Sequence, residues 1–162
     1  MNEADIEYAW FFRAEFAGVL RTVFLILHDR GKSEDVTQEA FIQLLTHWRK
    51  VSRYERPEAW VRRVAIRQAV RLLKRDRMRA ELERADVPVS DADLPDVDLA
   101  RAVQRLPAMQ RAAVVLFYFE DRPVAEIADI LGTSDGSVKV HLHRARQRLV
   151  VLLGEEVGED AR

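Results

Sequence analysis

Apolar side chains recur every three or four residues through most of this sequence, and this spacing restricts its fold more than any other feature. Between Tyr8 and Leu27 the recurring positions are Phe12, Phe16, Val19, Val23 and Leu27. An α-helix has about 3.6 residues per turn, so such a series lies along one side of a helix and can be buried there. The same spacing returns in several later segments. It predicts an all-α fold in which each helix buries one side.

The stretch from Arg84 to Asp98 interrupts the helical spacing. It contains Pro88, Pro95 and several aspartates without a sustained apolar period, as is typical of a connection between domains. A chain of 162 residues suits two small domains. We predict two small helical domains joined by an acidic flexible linker. Their expected bounds are 1–82 for the first domain, 83–98 for the linker, 99–154 for the second domain and 155–162 for an acidic tail.

Glycine, serine and proline predict where several helices begin and end. Gly31 is expected to end the first helix, because glycine readily adopts the left-handed conformation found there. Ser33 is expected to cap the second helix, because its hydroxyl can accept a hydrogen bond from the free amide groups. Pro57 predicts the start of the third helix, and one helix is expected from Pro107 to Glu120.

Charge is strongly segregated along the chain, although the formal net charge is only −1. Between Arg49 and Arg79 there are 12 Lys or Arg against 3 acidic residues, a balance of +9. Between Ala80 and Ala100 there are 7 acidic residues against one arginine, a balance of −6. Local fields govern the binding of a polyanion, so the first of these segments favours contact with nucleic acid.

The segment Val124–Leu149 has the pattern of a helix-turn-helix. Gly132 is expected to end its first helix and Ser134 to cap its second, and the short turn between them is typical of the motif. In such motifs the second helix enters the major groove of DNA. The predicted contacts to the DNA are Ser137, Lys139, Val140, His143, Arg144, Arg146 and Arg148, the last two to phosphates. A packed helix pair with a solvated basic face is the alternative, and a metal site at His141 and His143 is disfavoured by their spacing.

The third helix carries a basic stripe at a spacing of three and four residues, formed by Arg63, Arg67, Arg71 and Lys74. Like charges at this spacing repel each other, so an anionic partner would stabilise them. The preceding loop adds Arg53, Tyr54 and Arg56, and cations beside an aromatic ring suit single-stranded nucleic acid. Tyr54 packed on the end of the helix is the alternative. Trp60 is expected on the buried side, opposite the stripe.

These segments together resemble the extracytoplasmic-function group of bacterial sigma factors, from about Phe12 to Leu153. SEDVTQEAFIQLLTHW is similar to the helix with which such factors bind the β′ clamp of RNA polymerase. The resemblance assigns that contact to Asp35, Gln38 and Glu39, and we expect Phe41 and Leu45 to be internal. RPEAWVRRVAIRQAVRLLKRDR and the loop before it resemble the part that binds and opens the minus-ten element. LPAMQRAAVVLFYFEDRPVAEIADILGTSDGSVKVHLHRARQRL resembles the domain that reads the minus-thirty-five element.

The resemblance also implies the partners and the activity. We expect a sigma factor that binds core RNA polymerase at the β′ clamp and the β flap and directs initiation at promoter DNA. Control by an anti-sigma factor is expected as well, since similar factors are commonly regulated in this way. The sequence departs from the family at Arg67 and Arg71, where Asn and Asp are frequent, and at Val140 and His141, which puts the promoter sequence in doubt.

Other classes of protein fit the sequence less well. A simple DNA-binding regulator explains the helix-turn-helix but not the basic stripe or the acidic linker, and an anti-sigma factor needs neither DNA reader. The sequence has no cysteine, and we predict no catalytic residues, no metal site and no cofactor. It has no apolar run of the length that a membrane helix requires, so we expect no membrane insertion and a cytoplasmic location.

Overall fold

The structure is a computed structural model that describes residues 1–83 and 97–160. Helices account for nearly all of these residues. Over these residues the all-α prediction is confirmed. The helices are α1 (Glu3–Leu27), α2 (Arg30–Thr46), α3 (Trp48–Val51), α4 (Pro57–Glu83), α5 (Val97–Gln104), α6 (Ala108–Val114), a π-helical turn (Val115–Phe119), α7 (Val124–Leu131) and α8 (Asp135–Asp160). The chain divides into two compact units, residues 1–69 and 70–162, and the boundary lies within α4.

The core of the first unit is built around Phe41 of α2, which is only 1% exposed. Aromatic rings of α1 surround it, with ring centroids 5.1 Å away for Phe12 and 5.3 Å away for Phe16. Tyr8 adds a hydrogen bond, since its hydroxyl donates to the carbonyl oxygen of Phe41 at 2.7 Å. Burial raises the pKa of Tyr8, so the hydroxyl stays protonated and remains a donor. These contacts fix α2 against α1.

The junction between α1 and α2 differs from the prediction. α1 ends at Leu27, and His28 rather than Gly31 adopts the left-handed conformation, with φ of 53°. His28 is buried and its ring lies 5.3 Å from that of Phe24. Asp29 caps α2 by accepting a hydrogen bond from the Lys32 amide at 2.9 Å, so the prediction of Ser33 as the cap was wrong.

The helix-turn-helix of the second unit forms as predicted. Gly132 ends α7 in the left-handed conformation, with φ of 69°. Ser134 caps α8, since its hydroxyl accepts a hydrogen bond from the Ser137 amide at 3.1 Å. Val138, Leu142 and Ala145 are buried along one side of α8. Local sequence and tertiary packing therefore agree throughout this motif.

The helix predicted from Pro107 to Glu120 is not uniform. After α6 it widens into the π-helical turn Val115–Phe119, which the apolar spacing did not indicate. Arg111 joins α6 to the end of α5, because its guanidinium donates to the carbonyl oxygens of Gln104 and Leu106. Burial, with a smaller contribution from Arg77, lowers the pKa of Arg111 to about 10, so it is still charged at neutral pH.

Two segments predicted from the sequence, the linker and the acidic tail, lie at or beyond the limits of the described residues. Most of the predicted linker, residues 84–96, lies outside the described residues. α8 continues through Gly154 as far as Asp160, into the segment predicted as an acidic tail. No helix of the described part of the chain is long and apolar enough to cross a membrane.

Replacing Phe41 with alanine should lower the free energy of unfolding of the first unit by about 3–5 kcal/mol, because it leaves a cavity among the rings of α1. Leu45→Ala is the matched control on the same helix, and its cost should stay within about 0.5 kcal/mol because Leu45 is 52% exposed. Urea denaturation followed by tryptophan fluorescence measures this unit, since Trp10, Trp48 and Trp60 all lie in it. Equal costs for the two variants would contradict the packing described here.

Candidate nucleic-acid and protein interfaces

The exposed side of α2 combines acidic, amide and apolar side chains. Asp35, Gln38 and Glu39 are all exposed, as a binding role requires. The same side continues with Ile42, which is 58% exposed, and Leu45, which is 52% exposed. Ile42 was not selected from the sequence, and the prediction that Leu45 is internal was wrong. Both belong to the series at a spacing of three and four residues that begins at Asp35, and that series could have identified them.

The loop between α3 and α4 exposes the three side chains selected from the sequence, Arg53, Tyr54 and Arg56. Tyr54 is 41% exposed, and its ring packs on no other ring of the described residues. Its backbone amide donates to the carbonyl oxygen of Val51 at 3.0 Å, which holds the loop turn closed. Arg56 lies 3.2 Å from the Glu58 carboxylate, and both side chains are largely exposed. The loop therefore offers an accessible ring beside cationic groups.

The basic stripe of α4 lies opposite the buried side of that helix. Val61, Ala65, Ile66 and Ala69 are fully buried. On the opposite side Arg63 and Arg67 are half-buried, while Arg71 and Lys74 are exposed. The half-buried arginines can cover apolar surface with their methylene groups while the guanidinium groups reach water. The helix thus presents a row of positive charge along its exposed side.

Trp60 lies on the side of the basic stripe and not, as expected, on the buried side. It is half-buried and precedes Arg63 by three residues and Arg67 by seven, so the three share one side of α4. Its ring lies 5.7 Å from that of His47. The prediction failed because Val61, one position later, takes the buried place. An aromatic surface therefore accompanies the positive charge near the start of α4.

The first turns of α8 present the side chains predicted to read DNA. Those exposed on α8 are Lys139, Val140, His143, Arg144, Arg146 and Arg148. Ser137 is half-buried, and its hydroxyl accepts a hydrogen bond from the Ser134 hydroxyl at 3.1 Å. Val140 is 46% exposed and lies opposite the buried Val138 and Leu142. A helix turns by about 100° per residue, so Val140 is at the middle of the exposed side.

His141 does not add to the positive charge of α8. It is half-buried, and burial, followed by Arg144 and Lys74, lowers its pKa below the ordinary value of 6.5. The imidazole is therefore neutral at pH 7, and the charge of the exposed side comes from the lysine and the arginines. The lowered pKa also disfavours protonation in the folded state, so its contribution to stability is present above pH 6.5 and is lost as the pH falls through the folded pKa.

Arg146 differs from the other predicted contacts, because aromatic side chains of the π-helical turn hold it. Its Nε donates a hydrogen bond to the Tyr118 hydroxyl at 2.5 Å. The guanidinium carbon is 5.6 Å from the centroid of the Tyr118 ring and 5.9 Å from that of Phe117. Tyr118 was not selected from the sequence. It is separated from Arg146 by 28 positions, and no local pattern connects them.

The described residues contain no assembled metal site, since no three His, Asp or Glu side chains come together as ligands in 1–83 and 97–154. His141 and His143, the pair considered from the sequence, point to different sides of α8, one half-buried and one exposed. The clustered polar groups of these ranges are instead cations on α4 and α8 and a mixed acidic and apolar side on α2. These are features of surfaces that bind macromolecules.

Comparison with known proteins identifies the family. The model for Sigma-70 region 2 matches residues 11–79, and the model for Sigma-70, region 4 matches residues 96–149. ECF RNA polymerase sigma factor SigE of Mycolicibacterium smegmatis is 33% identical over 157 residues, which are 88% of this chain and 60% of that protein. RNA polymerase sigma factor SigV of Bacillus subtilis is 24% identical over 84% of each protein. The chain thus spans less than two thirds of SigE but most of SigV.

A solved structure has the same fold. It is the sigma factor RpoE from Bartonella quintana, determined in complex with the anti-sigma factor NepR. The TM-score is 0.73 at 19% sequence identity, over 91% of this chain and 97% of that one. Both family models match in the order that the sequence analysis expected, and the resemblance is confirmed. The chain belongs to the sigma-70 family of RNA polymerase sigma factors, in the extracytoplasmic-function group.

Proposed function

We propose that this sigma factor binds core RNA polymerase through the exposed side of α2 and reads promoter DNA through α4 and α8. The exposed cationic side of α8, in a helix-turn-helix capped at Ser134, is the observation that carries the proposal. Catalysis belongs to the polymerase, and this chain supplies specificity. A factor of this kind acts on the chromosome, and we place it in the cytoplasm.

Reading of the minus-thirty-five element is assigned to the exposed side of α8. Lys139, His143 and Arg144 can reach base edges in the major groove, where arginine pairs with guanine at two positions. Val140 lies among them, and an apolar side chain there can contact the methyl group of thymine. Arg146 and Arg148 flank this group and suit phosphates on either side. The hydroxyl of Ser137 already shares a hydrogen bond with Ser134, so we assign Ser137 a backbone contact.

Recognition of the minus-ten element is assigned to α4 and its preceding loop. Arg63, Arg67, Arg71 and Lys74 form a row of positive charge that can follow the backbone of a DNA strand. In the loop, Arg53 and Arg56 lie close in sequence to Tyr54, and an unpaired base can stack on the accessible Tyr54 ring. The exposure of Tyr54, at 41%, supports this role. The Arg56–Glu58 pair is exposed and weak, so DNA can displace it.

Polymerase binding is assigned to Asp35, Gln38, Glu39, Ile42 and Leu45 of α2. An exposed apolar pair beside polar groups is characteristic of a protein interface, where burial supplies affinity and polar groups supply register. The β′ clamp is the proposed partner of this side of α2, and the β flap the proposed partner of the second domain. We also propose a first domain at 1–82, a linker at 83–98, a second domain at 99–154 and an acidic tail at 155–162. An anti-sigma factor is the expected regulator, since the related RpoE was solved with one.

Run-off transcription with purified core polymerase tests the proposal. Discrete transcripts from a pool of promoter fragments should appear only when this chain is added. If the chain instead protects duplex DNA without polymerase and yields no transcript, the protein acts as a DNA-binding regulator.

Arg144→Ala should weaken promoter binding by the holoenzyme by about 1–3 kcal/mol and relax the sequence preference at one position of the minus-thirty-five element. Arg148→Ala should weaken binding to all promoters alike and lower the slope of log K against log salt by about one. Arg105→Ala, which removes an exposed arginine of the second unit outside α8, is the control. Fluorescence anisotropy at several salt concentrations measures both effects. Losses of the same size in all three variants would show that only total charge matters.

Ile42→Asp should weaken binding to core polymerase by roughly tenfold or more, because it places a charge where an apolar side chain becomes buried. Ile6→Asp is the control, since Ile6 is 44% exposed and lies in the first unit on α1, outside the proposed interfaces. Binding of the labelled chain to core enzyme is measured by fluorescence anisotropy, and circular dichroism checks the fold. Unchanged affinity in Ile42→Asp would exclude this side of α2 from the interface.

A further inference from the structure

The π-helical turn Val115–Phe119 places two consecutive aromatic residues against one arginine of α8. In this wider turn the Glu120 amide donates to the carbonyl oxygen of Val115 at 3.1 Å. Phe117 and Tyr118 have ring centroids 4.9 Å apart and meet nearly edge to face. Both rings lie within 6 Å of the guanidinium carbon of Arg146. The turn ends the helix that begins at Ala108, a position at which π-turns occur in other helices.

The contact with Tyr118 uses only part of the Arg146 guanidinium. Nε donates the hydrogen bond to the Tyr118 hydroxyl, so the two terminal Nη groups retain their four N–H donors. Both side chains lie at the surface, Tyr118 at 50% exposure. No carboxylate of the described residues pairs with Arg146. The Tyr118 contact therefore holds the arginine in place without pairing its charge.

Arg146 and Lys139 lie on the same flank of the exposed side of α8. They are seven residues apart, which is about two helical turns and about 10 Å along the axis. The Tyr118 contact thus holds one of two cations that lie along the same edge of the exposed side of α8.

We propose that Tyr118 is a positioning residue for DNA binding, which holds Arg146 so that its Nη groups meet a phosphate at the edge of the minus-thirty-five element. This rests on the proposed function of α8. Arginine loses considerable rotamer freedom when it binds an anion, and a side chain that is ordered beforehand loses less. Lysine could not replace Arg146, because its single nitrogen cannot bind Tyr118 and present a planar pair of donors to a phosphate.

A double-mutant cycle tests the proposal with holoenzyme, using duplex promoter fragments obtained from the run-off pool. Tyr118→Phe removes only the hydroxyl, so the fold should persist. It should weaken promoter binding about three- to fivefold when Arg146 is present and have almost no effect in the Arg146→Ala background. The salt slope should fall by about one in Arg146→Ala but stay unchanged in Tyr118→Phe, which keeps the charge. Arg146→Lys should lose most of the affinity that Arg146→Ala loses.

Equal effects of Tyr118→Phe in both backgrounds would mean that Tyr118 acts through the fold, and this would overturn the proposal. No effect of Tyr118→Phe beside a wild-type Arg146 would overturn it too. Lys139→Ala separates this failure from failure of the proposed function. If Lys139→Ala weakens binding while the Tyr118 and Arg146 variants do not, α8 still reads DNA and only the positioning role is lost. If none of these variants changes promoter binding, the assignment of α8 to DNA fails, and the positioning role fails with it.

Discussion

Each helix of this small protein can bury only one side, and this constraint shapes all of its binding surfaces. On α2 the core takes Ala40, Phe41 and Leu44. The opposite side is left to polar residues and to Ile42 and Leu45, which nothing in the described part of the unit covers. On α8 the core takes Val138, Leu142 and Ala145, and the cations occupy the exposed side. The proposed binding surfaces therefore lie opposite the buried sides of the same helices.

The segregated charge follows from the same arrangement. The exposed side of α4 carries positive charges at a spacing of four residues, which repel each other by a few tenths of a kcal/mol per pair. The isolated protein tolerates this because water and salt screen exposed charges. In the proposed complex, a DNA strand that follows this row releases its own counterions, which favours binding. The net charge of −1 conceals this distribution.

Helix boundaries could be predicted from the sequence where one residue type decided the boundary. The helix-turn-helix was predicted well, because Gly132 and Ser134 each act within one turn of their own helix. The end of α1 was not predicted, because the sequence offers more than one candidate within a few residues: His28 rather than Gly31 takes the left-handed conformation, and Asp29 rather than Ser33 caps α2. Trp60 and Leu45 were misplaced for another reason. Each is next to a residue that is buried instead, and only packing decides between neighbours.

The two exposed tyrosines show why the site was harder to predict than the fold. Tyr54 lies in a basic loop, and we propose that its ring stacks on an unpaired base. Tyr118 is about as exposed, but its hydroxyl accepts a hydrogen bond from Arg146. The two residues are of the same type and are similarly exposed. Neither property distinguishes a ring proposed to contact nucleic acid from one proposed to orient an arginine. That distinction depends on the π-helical turn, which brings Tyr118 to a residue of another helix. A basic residue selected from sequence as a DNA contact can therefore depend on an aromatic residue that the sequence does not connect with it.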